Sequence, residues 1–322
     1  MTSEFDLIAR CFARPAPDGM LGVGDDCALF AVPHGKQVAT STDLLLAGRH
    51  FFPDVDPHAL GHKALAVNLS DLAAMGAQPI GCLLGLALPN VDLPWVEAFA
   101  RGFHALCDAH GCPLIGGDTT RAADGHIAIS VTVFGAVDPR FALKRSGACV
   151  GDDIWVSGTL GAADAAYRLL SGQWAHDDAL LAACRPALER PAPQVALGMA
   201  LAPIAHAAID ISDGLLQDLG HILTASQVGA TLQEADLPVD EALVALPAAK
   251  VRGCVLGGGD VYQLCVTADP ANRDRIIQSA RDVGVRMTRV GTIVSPRGMR
   301  VLDAAGQPIG DLPGGFDHFS ST

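Results

Sequence analysis

AIDISDGL, Ala208 to Leu215, is the stretch on which the fold turns. An apolar run from Pro203 to Ile209 meets Asp210, Ser212 and Asp213. After Gly214, the residues Leu215, Leu216, Leu219, Ile222 and Leu223 recur at helical spacing. That order predicts a buried strand, a tight acidic turn and an amphipathic helix. Ser212 or Asp213 is placed to cap the helix, and Gly214 lets the backbone approach a ligand. Four other acidic knots punctuate the chain: Gly24-Asp25-Asp26, Ser41-Thr42-Asp43, Asn68-Leu69-Ser70-Asp71 and Gly116-Gly117-Asp118-Thr119. The expectation is that they converge with Asp210 and Asp213 on one metal-rich site.

Working outward, 322 residues exceed the size at which one core keeps growing, so two domains are expected. Half of the residues are apolar and 18% are charged, a globular composition. The net charge of -13 argues against a nucleic-acid or anionic-membrane partner, and implies that an anionic substrate meets divalent cations. The nine cysteines are scattered with no C-x-x-C, which suits a reducing compartment. The opening MTSEFDLIARCFARP mixes acid and Arg into its apolar residues, unlike a signal peptide. The longest apolar run, Ile80 to Leu88, is about half of what a membrane span requires. A soluble, cytoplasmic protein is expected.

Residues Phe5 to Phe12 read as a short amphipathic stretch, and Gly22 to Phe30 as a glycine turn running into a strand. Gln37 to Ser41 reads as a strand ending at Ser41-Thr42-Asp43, where open α/β sheets place ligands. Helices are predicted at Pro57 to Gly76 and Leu93 to His110, with strands at Pro79 to Leu88 and His126 to Val137. Leu114-Ile115 leads into a glycine turn carrying Asp118. Asp138 to Asp153 reads as the domain junction. Beyond it come a strand (Ile154 to Ser157), a helix (Gly161 to Leu170), a polar stretch (Ser171 to Pro193) and a helix (Pro193 to Leu201). After the central motif, the prediction is a strand at Val261 to Thr267, a helix at Pro270 to Val283 and a strand at Thr288 to Ile293. Strands and helices alternate, so the class is α/β or α+β.

Each acidic knot has a plain alternative. Gly-Asp-Asp recurs at Gly151-Asp152-Asp153 and serves as a turn, and Asp213 before a glycine serves as an N-cap. Asp71 is different, because a half-buried carboxylate inside an apolar helix is costly unless paired or bound to a cation. Hard oxygen ligands without neighbouring His or Cys point to Mg²⁺. Mg²⁺ takes one or two carboxylates and fills its shell with water and phosphate oxygens, so this many acids imply several ions and a nucleoside triphosphate. The chain holds no G-x-x-x-x-G-K-[ST], and Cys27 stands where a dinucleotide fingerprint needs its third glycine. Lys144-Arg145 reads either as a solvated linker or as a phosphate contact.

Taken together, GVGDDCAL, STD, AVNLSDLAAMGA, LIGGDTT, the Arg of KRSG, AIDISDGL and the closing GGFDHF resemble the thiamine-monophosphate kinase family. They run in the family's order from Gly22 to Phe319. Single motifs are shared with aminoimidazole ribonucleotide synthetase, selenophosphate synthetase and a hydrogenase-maturation carbamoyl dehydratase. The resemblance implies a two-domain α/β (α+β) fold of the aminoimidazole ribonucleotide synthetase type. Residues 1–138 would bind ATP and Mg²⁺ and form a homodimer, and residues 139–322 would complete the active site. It implies transfer of the γ-phosphoryl group of ATP to thiamine monophosphate, the last step in making thiamine diphosphate. By motif position, Asp26, Ser41, Thr42, Asp43, Asp71, Asp118, Asp210 and Asp213 would hold several Mg²⁺ ions. Gly117, Asp118, Arg145 and Ser212 would contact ATP. His50, Asp260 and Phe316 would contact the acceptor, Phe316 by stacking. Asp71, Asp213 and Arg145 would matter most to turnover, with no general base.

One stretch departs from the family. Its GGEDYEL stands here as GGDVYQL, Gly258 to Leu264, so Asp260 replaces a substrate-binding Glu, Val261 an Asp and Gln263 a Glu. The departure bears on the acceptor, not on the nucleotide. Two other functions share the motifs: a related ATP-dependent synthetase or ligase, and a non-catalytic Mg-nucleotide-binding protein.

Overall fold

The computed structural model describes residues 4–123 and 125–314. The chain divides into two compact units, Met1–Leu72 with Ala77–Arg140, and Ala73–Gly76 with Phe141–Thr322. Among the described residues no helix is long and apolar enough to cross a membrane.

The first unit runs α1 (Glu4–Cys11), β1 (Gln37–Leu46), α2 (Pro57–Ala74), β2 (Gln78–Leu88), α3 (Leu93–His110), β3 (Leu114–Arg121) and β4 (Ala128–Val137). Its sheet has the order β1-β4-β2-β3, antiparallel except where β2 meets β3. Its core is built from the predicted helical stripe Leu65, Leu69 and Leu72, with Phe99, Phe103, Ile129, Val131 and Val133. Asp92 caps α3 by accepting from the Trp95 amide. Helices α2 and α3 cross at two glycines: a Cβ on Gly102 would lie 1.9 Å from the His58 carbonyl oxygen, and one on Gly61 2.0 Å from that of Phe99.

Two expectations change here. Gly22 to Phe30 forms no strand, only isolated bridges (Leu21 with Leu29, Val23 with Asp25), and Leu29 is exposed. Nor does β1 stop at Ser41: it continues to Leu46, so the Ser41-Thr42-Asp43 knot sits in mid-strand. Likewise β3 passes straight through Gly116-Gly117-Asp118, where a turn was predicted, because parallel pairing with β2 holds Gly117 opposite Leu84 and Asp118 opposite Gly85.

The second unit runs β5 (Asp153–Ser157), α4 (Ala162–Leu170), α5 (Asp178–Glu189), α6 (Val195–Leu201), β6 (Ala207–Asp210), α7 (Leu215–Ser226), β7 (Gly229–Gln233), α8 (Ala248–Gly257), β8 (Leu264–Ala268), α9 (Arg273–Asp282), β9 (Met287–Val294) and β10 (Gly298–Leu302). The sheet order is β10-β7-β9-β5-β8-β6. Ile154, Val156, Ile209, Leu219, Ile222, Leu232, Cys265 and Val290 share its core. The polar stretch Ser171 to Pro193 hides α5, capped by Asp177 and carrying Pro186 within it. The predicted strand from Val261 starts only at Leu264, because Asp260 and Tyr262 hold positive φ values of 58° and 53° that no strand accepts.

The α2–α3 crossing is testable. Gly102→Ala should cost about 1–3 kcal/mol, the usual range for overpacking a tight contact. A thermal unfolding midpoint equal to that of the unmutated protein would mean that the helices stand farther apart than described.

Candidate functional site

In the first unit the site grows from an edge strand and a helix. Along β1, Ala39, Ser41, Asp43 and Leu45 turn inward, while Val38, Thr40, Thr42, Leu44 and Leu46 are exposed on the other face. β1 pairs only with β4, so Asp43 offers its amide on the open edge. Asn68 of α2 meets it: the Asp43 N–H donates to Asn68 Oδ1 at 3.0 Å, and Asn68 Nδ2 donates to the Ala64 carbonyl at 3.1 Å. One turn on, Asp71 accepts the Ser41 hydroxyl at Oδ2, 2.6 Å away. Asn68 and Asp71 thus share one helix face, as their spacing predicted, and both meet β1 at Ser41 and Asp43.

Burial first, and then the charge of Asp71, push the Asp43 carboxyl up to about 6. From an ordinary value near 4 that is roughly 3 kcal/mol against the ionised form. A divalent cation reverses the sign, since it favours both carboxylates charged. The donors at hand are all oxygens, so the set fits a hard cation.

The other first-unit candidates lie elsewhere. Thr42 faces the opposite side of the sheet, where its hydroxyl donates to the Val131 carbonyl at 3.0 Å and accepts from Thr132 at 2.9 Å. Asp118, on edge strand β3, shares that outer face: the transverse row is Leu44, Ser130, Gly85, Asp118. Three strand spacings separate β1 from β3, roughly 14 Å, well beyond direct contact. Asp26 is exposed in the bend after Gly24. His50 accepts the Leu46 amide at Nδ1, 3.0 Å away, which leaves Nε2 as the protonated nitrogen of the neutral ring. Lys63 went unnoticed in the sequence. It is 2% exposed and donates to the His50 carbonyl at 3.3 Å, steadying that loop from within α2.

The second unit carries the central motif. Asp210 ends the edge strand β6 and is buried. The segment bearing Arg145 runs along that edge: the Ala208 amide donates to the Lys144 carbonyl at 3.1 Å, and Ser226 Oγ donates to the Arg145 carbonyl at 2.8 Å. Neither Ser212 nor Asp213 caps α7, contrary to the sequence expectation. Gly214 is the N-cap residue, and Asp218, one turn into the helix, reaches back. Its Oδ2 accepts the amides of Asp213 and Gly214, each at 3.0 Å. Burial pushes the Asp218 carboxyl up to about 7; the Asp213 charge adds to this, and the donated amides oppose it. An acid in the first helical turn was the available signal for it, hidden because Asp213 stood nearer the start.

The departing loop packs on this turn. The Asp260 amide donates to the Ser212 carbonyl at 2.8 Å, and that of Tyr262 to Ile211 at 2.7 Å. A Cβ on Gly259 would lie 2.5 Å from the Ser212 oxygen. Asp260 sits in the left-handed region, which Asp tolerates better than longer side chains do, and accepts from the Tyr262 hydroxyl at 3.2 Å. Gln263 braces the fold, since its Oε1 accepts the Ser157 hydroxyl at 2.6 Å, and Ser157 Oγ accepts the Leu264 amide at 2.8 Å. Phe316 lies outside the described residues.

Comparison with known proteins follows the same division. The family model for AIR synthase related protein, N-terminal domain, matches residues 24–137, and that for the C-terminal domain matches residues 150–303. Thiamine-monophosphate kinase of Escherichia coli (strain K12) is 42% identical, across 99% of this chain and 98% of the relative. The crystal structure of thiamine-monophosphate kinase from Stenotrophomonas maltophilia K279a superposes with a TM-score of 0.82 at 45% identity, covering 88% of this chain and 91% of that one. A structure of AaThiL complexed with AMPPCP and TMP gives a TM-score of 0.75 at 28% identity, over 94% and 91% of the two chains.

Asp218 separates shape from charge. Asp218→Asn keeps an oxygen for both amides and should retain the fold with turnover within about tenfold. Asp218→Leu leaves buried donors unmet at about 1–3 kcal/mol each and should lower stability accordingly. Denaturant unfolding of both variants checks this, and equal stability would remove the clasp.

Proposed function

The chain belongs to the thiamine-monophosphate kinase family, and from that membership we propose how it carries the γ-phosphoryl group of ATP onto thiamine monophosphate, leaving thiamine diphosphate and ADP. The observation that carries the proposal is the Asp43–Asp71 pair, two inward carboxylates held together against their own repulsion.

The acceptor is a phosphate monoester with a second pKa of about 6, so its attacking oxygen needs no general base near neutral pH. That oxygen bonds to the γ-phosphorus as the bond to the β-bridging oxygen breaks, and ADP leaves with the electron pair. Bound Mg²⁺ supplies neutralisation of two phosphate chains that would otherwise repel. Ser41, Asp43 and Asp71 form the all-oxygen set that would hold it. Of the other candidates, Asp26 in the first unit and Asp210 and Asp213 in the second are the residues we assign to further ions, whereas Thr42 and Asp118 lie on the outer face of the sheet, away from this set. Ser41 keeps Asp71 oriented and Asn68 keeps β1 in place, so the carboxylates do not rearrange when the substrates arrive. Gly117, Asp118, Arg145 and Ser212 are assigned to ATP, with Arg145 giving a cationic contact to phosphate. His50, with an N–H at Nε2, and Asp260 are assigned to the acceptor, as is Phe316. A carboxylate suits the cationic thiazolium.

We assign dimerisation and the first set of ATP and Mg²⁺ contacts to residues 1–138, and the groups that complete the active site, Arg145, Asp210, Ser212 and Asp213 among them, to residues 139–322, in a cytoplasmic enzyme. The outward face of β1 supports a homodimer. Val38, Leu44 and Leu46 are 50%, 54% and 38% exposed there, with Thr40 and Thr42 between Val38 and Leu44, and none of these five side chains is charged. A second copy of the same face would match it.

Three measurements test these assignments. With MgATP and thiamine monophosphate, the protein should form ADP and thiamine diphosphate together. ADP alone would indicate another acceptor, and bound ATP without turnover a nucleotide-binding protein. Asp71→Asn and Asp213→Asn should each lower kcat at least about 100-fold, the scale of losing a preorganised electrostatic group, while staying folded. In light scattering, Leu44→Glu should halve the mass of the assembly; an unchanged mass would place the interface elsewhere.

A further inference from the structure

A different set of ligating side chains lies at the opposite end of β6 from Asp210, about 13 Å away along the strand. Cys149, Asp152 and His206 bring a thiol sulfur, a carboxylate oxygen and a ring nitrogen within 4.8 Å of one another. We propose that these three residues form a site for a zinc-class divalent cation, separate from the oxygen-lined carboxylates assigned to Mg²⁺.

The local backbone is built for it. Cys149 and Asp152 stand three residues apart in a turn closed by the Asp152 amide donating to the Cys149 carbonyl at 3.0 Å. Structural zinc sites use the same C-x-x spacing to chelate from one turn. The turn is tied to β9 on both sides: the Gly151 amide donates to Ile293 at 2.9 Å and the Ile293 amide to Asp152 at 2.8 Å. Asp152 is 3% exposed, and its Oδ2 accepts the Cys149 amide at 2.8 Å, so its direction is set by the protein. His206 sits just before β6, its amide held by the Thr267 carbonyl at 2.8 Å, and places Nδ1 3.0 Å from both Asp152 oxygens. The imidazole is partly exposed and Cys149 is open to solvent, so a cation can enter.

The donor set selects the metal. Sulfur, nitrogen and oxygen together suit Zn²⁺ or Co²⁺ in four-coordination, with one position left to water, and suit Mg²⁺ poorly. On binding, the thiol S–H breaks, its proton goes to solvent, and a metal–sulfur bond forms. The imidazole takes the Nε2–H tautomer and Nδ1 gives its lone pair to the metal, replacing the contact with Asp152. No electron transfer is involved. The competing account is a bare His206–Asp152 pair with Cys149 a bystander.

Titration of the full-length, chelator-stripped protein with Co²⁺ decides between them. The site predicts a thiolate-to-cobalt charge-transfer band and four-coordinate d–d bands that saturate at one Co²⁺ per chain. Zn²⁺ should bleach them and excess Mg²⁺ should not. Cys149→Ser should abolish the charge-transfer band, and His206→Ala should raise the Co²⁺ Kd by more than about 100-fold, beyond what losing a hydrogen bond to a ligand would cause. Both variants should keep MgATP-dependent turnover. No thiolate band, a band that survives Cys149→Ser (pointing to exposed Cys27), or unaltered affinity in His206→Ala would overturn the proposal. If a variant fails to fold, alkylation of the unmutated protein decides: Zn²⁺ should shield Cys149 from iodoacetamide, and labelling at an undiminished rate would overturn the site.

Discussion

Like charges gathered in half-buried places are the constraint on which the rest of this molecule depends. Asp43 and Asp71 share the inner side of β1, where burial and then their mutual repulsion displace the Asp43 carboxyl. Left to relax, such side chains turn apart. Here Ser41 holds Asp71 by one oxygen, and Asn68 holds the strand that carries Asp43. In the second unit, Asp218 takes two amides of the turn that bears Asp213. The backbone supplies rigidity, and the stored repulsion is what a bound cation discharges.

The framing is done at sheet edges in both units. Edge strands carry unpaired amides, and proteins close them with something other than a strand. β1 is closed at Asp43 by the side chain of Asn68, and β6 at Ala208 by the Lys144 carbonyl. The closing group brings a residue of the proposed site with it in each case: Asn68 comes on the helix that carries Asp71, and Lys144 comes with Arg145. The loop of Asp260 and Tyr262 shows the complementary device. Two non-glycine residues with positive φ are costly, and hydrogen bonds to Ile211 and Ser212 hold them there. For transfer between two polyanions this economy of motion matters more than acid–base chemistry, because the acceptor oxygen is already ionised.

Two donor sets of different softness stand in the two units. The donors around Asp43 and Asp71 are all oxygens. The Cys149–Asp152–His206 cluster combines all three donor atoms at the other end of β6. Such a division lets two kinds of cation bind one chain by ligand softness rather than by raw affinity.

Much was legible in the sequence, because periodicity and glycine-flanked acids are local signals. The stripe Leu65, Leu69, Leu72 marked α2, and the spacing of Asn68 and Asp71 placed both on one face. Both follow from 3.6 residues per turn, which no partner alters. What stayed hidden was non-local. That β1 runs on through Ser41-Thr42-Asp43 depends on pairing with β4, and the pleat then sends Thr42 to the opposite face from its neighbours. The clasp of Asp218 on the start of α7 is local by contrast, and was masked only because Asp213 stands nearer that start. His206 reaches Cys149 and Asp152 across 54 residues of chain. The sequence by itself determined which residues had the chemistry and which elements would carry them. Only the tertiary structure decided which of those residues meet, because strand register and edge closure are set by partners far along the chain.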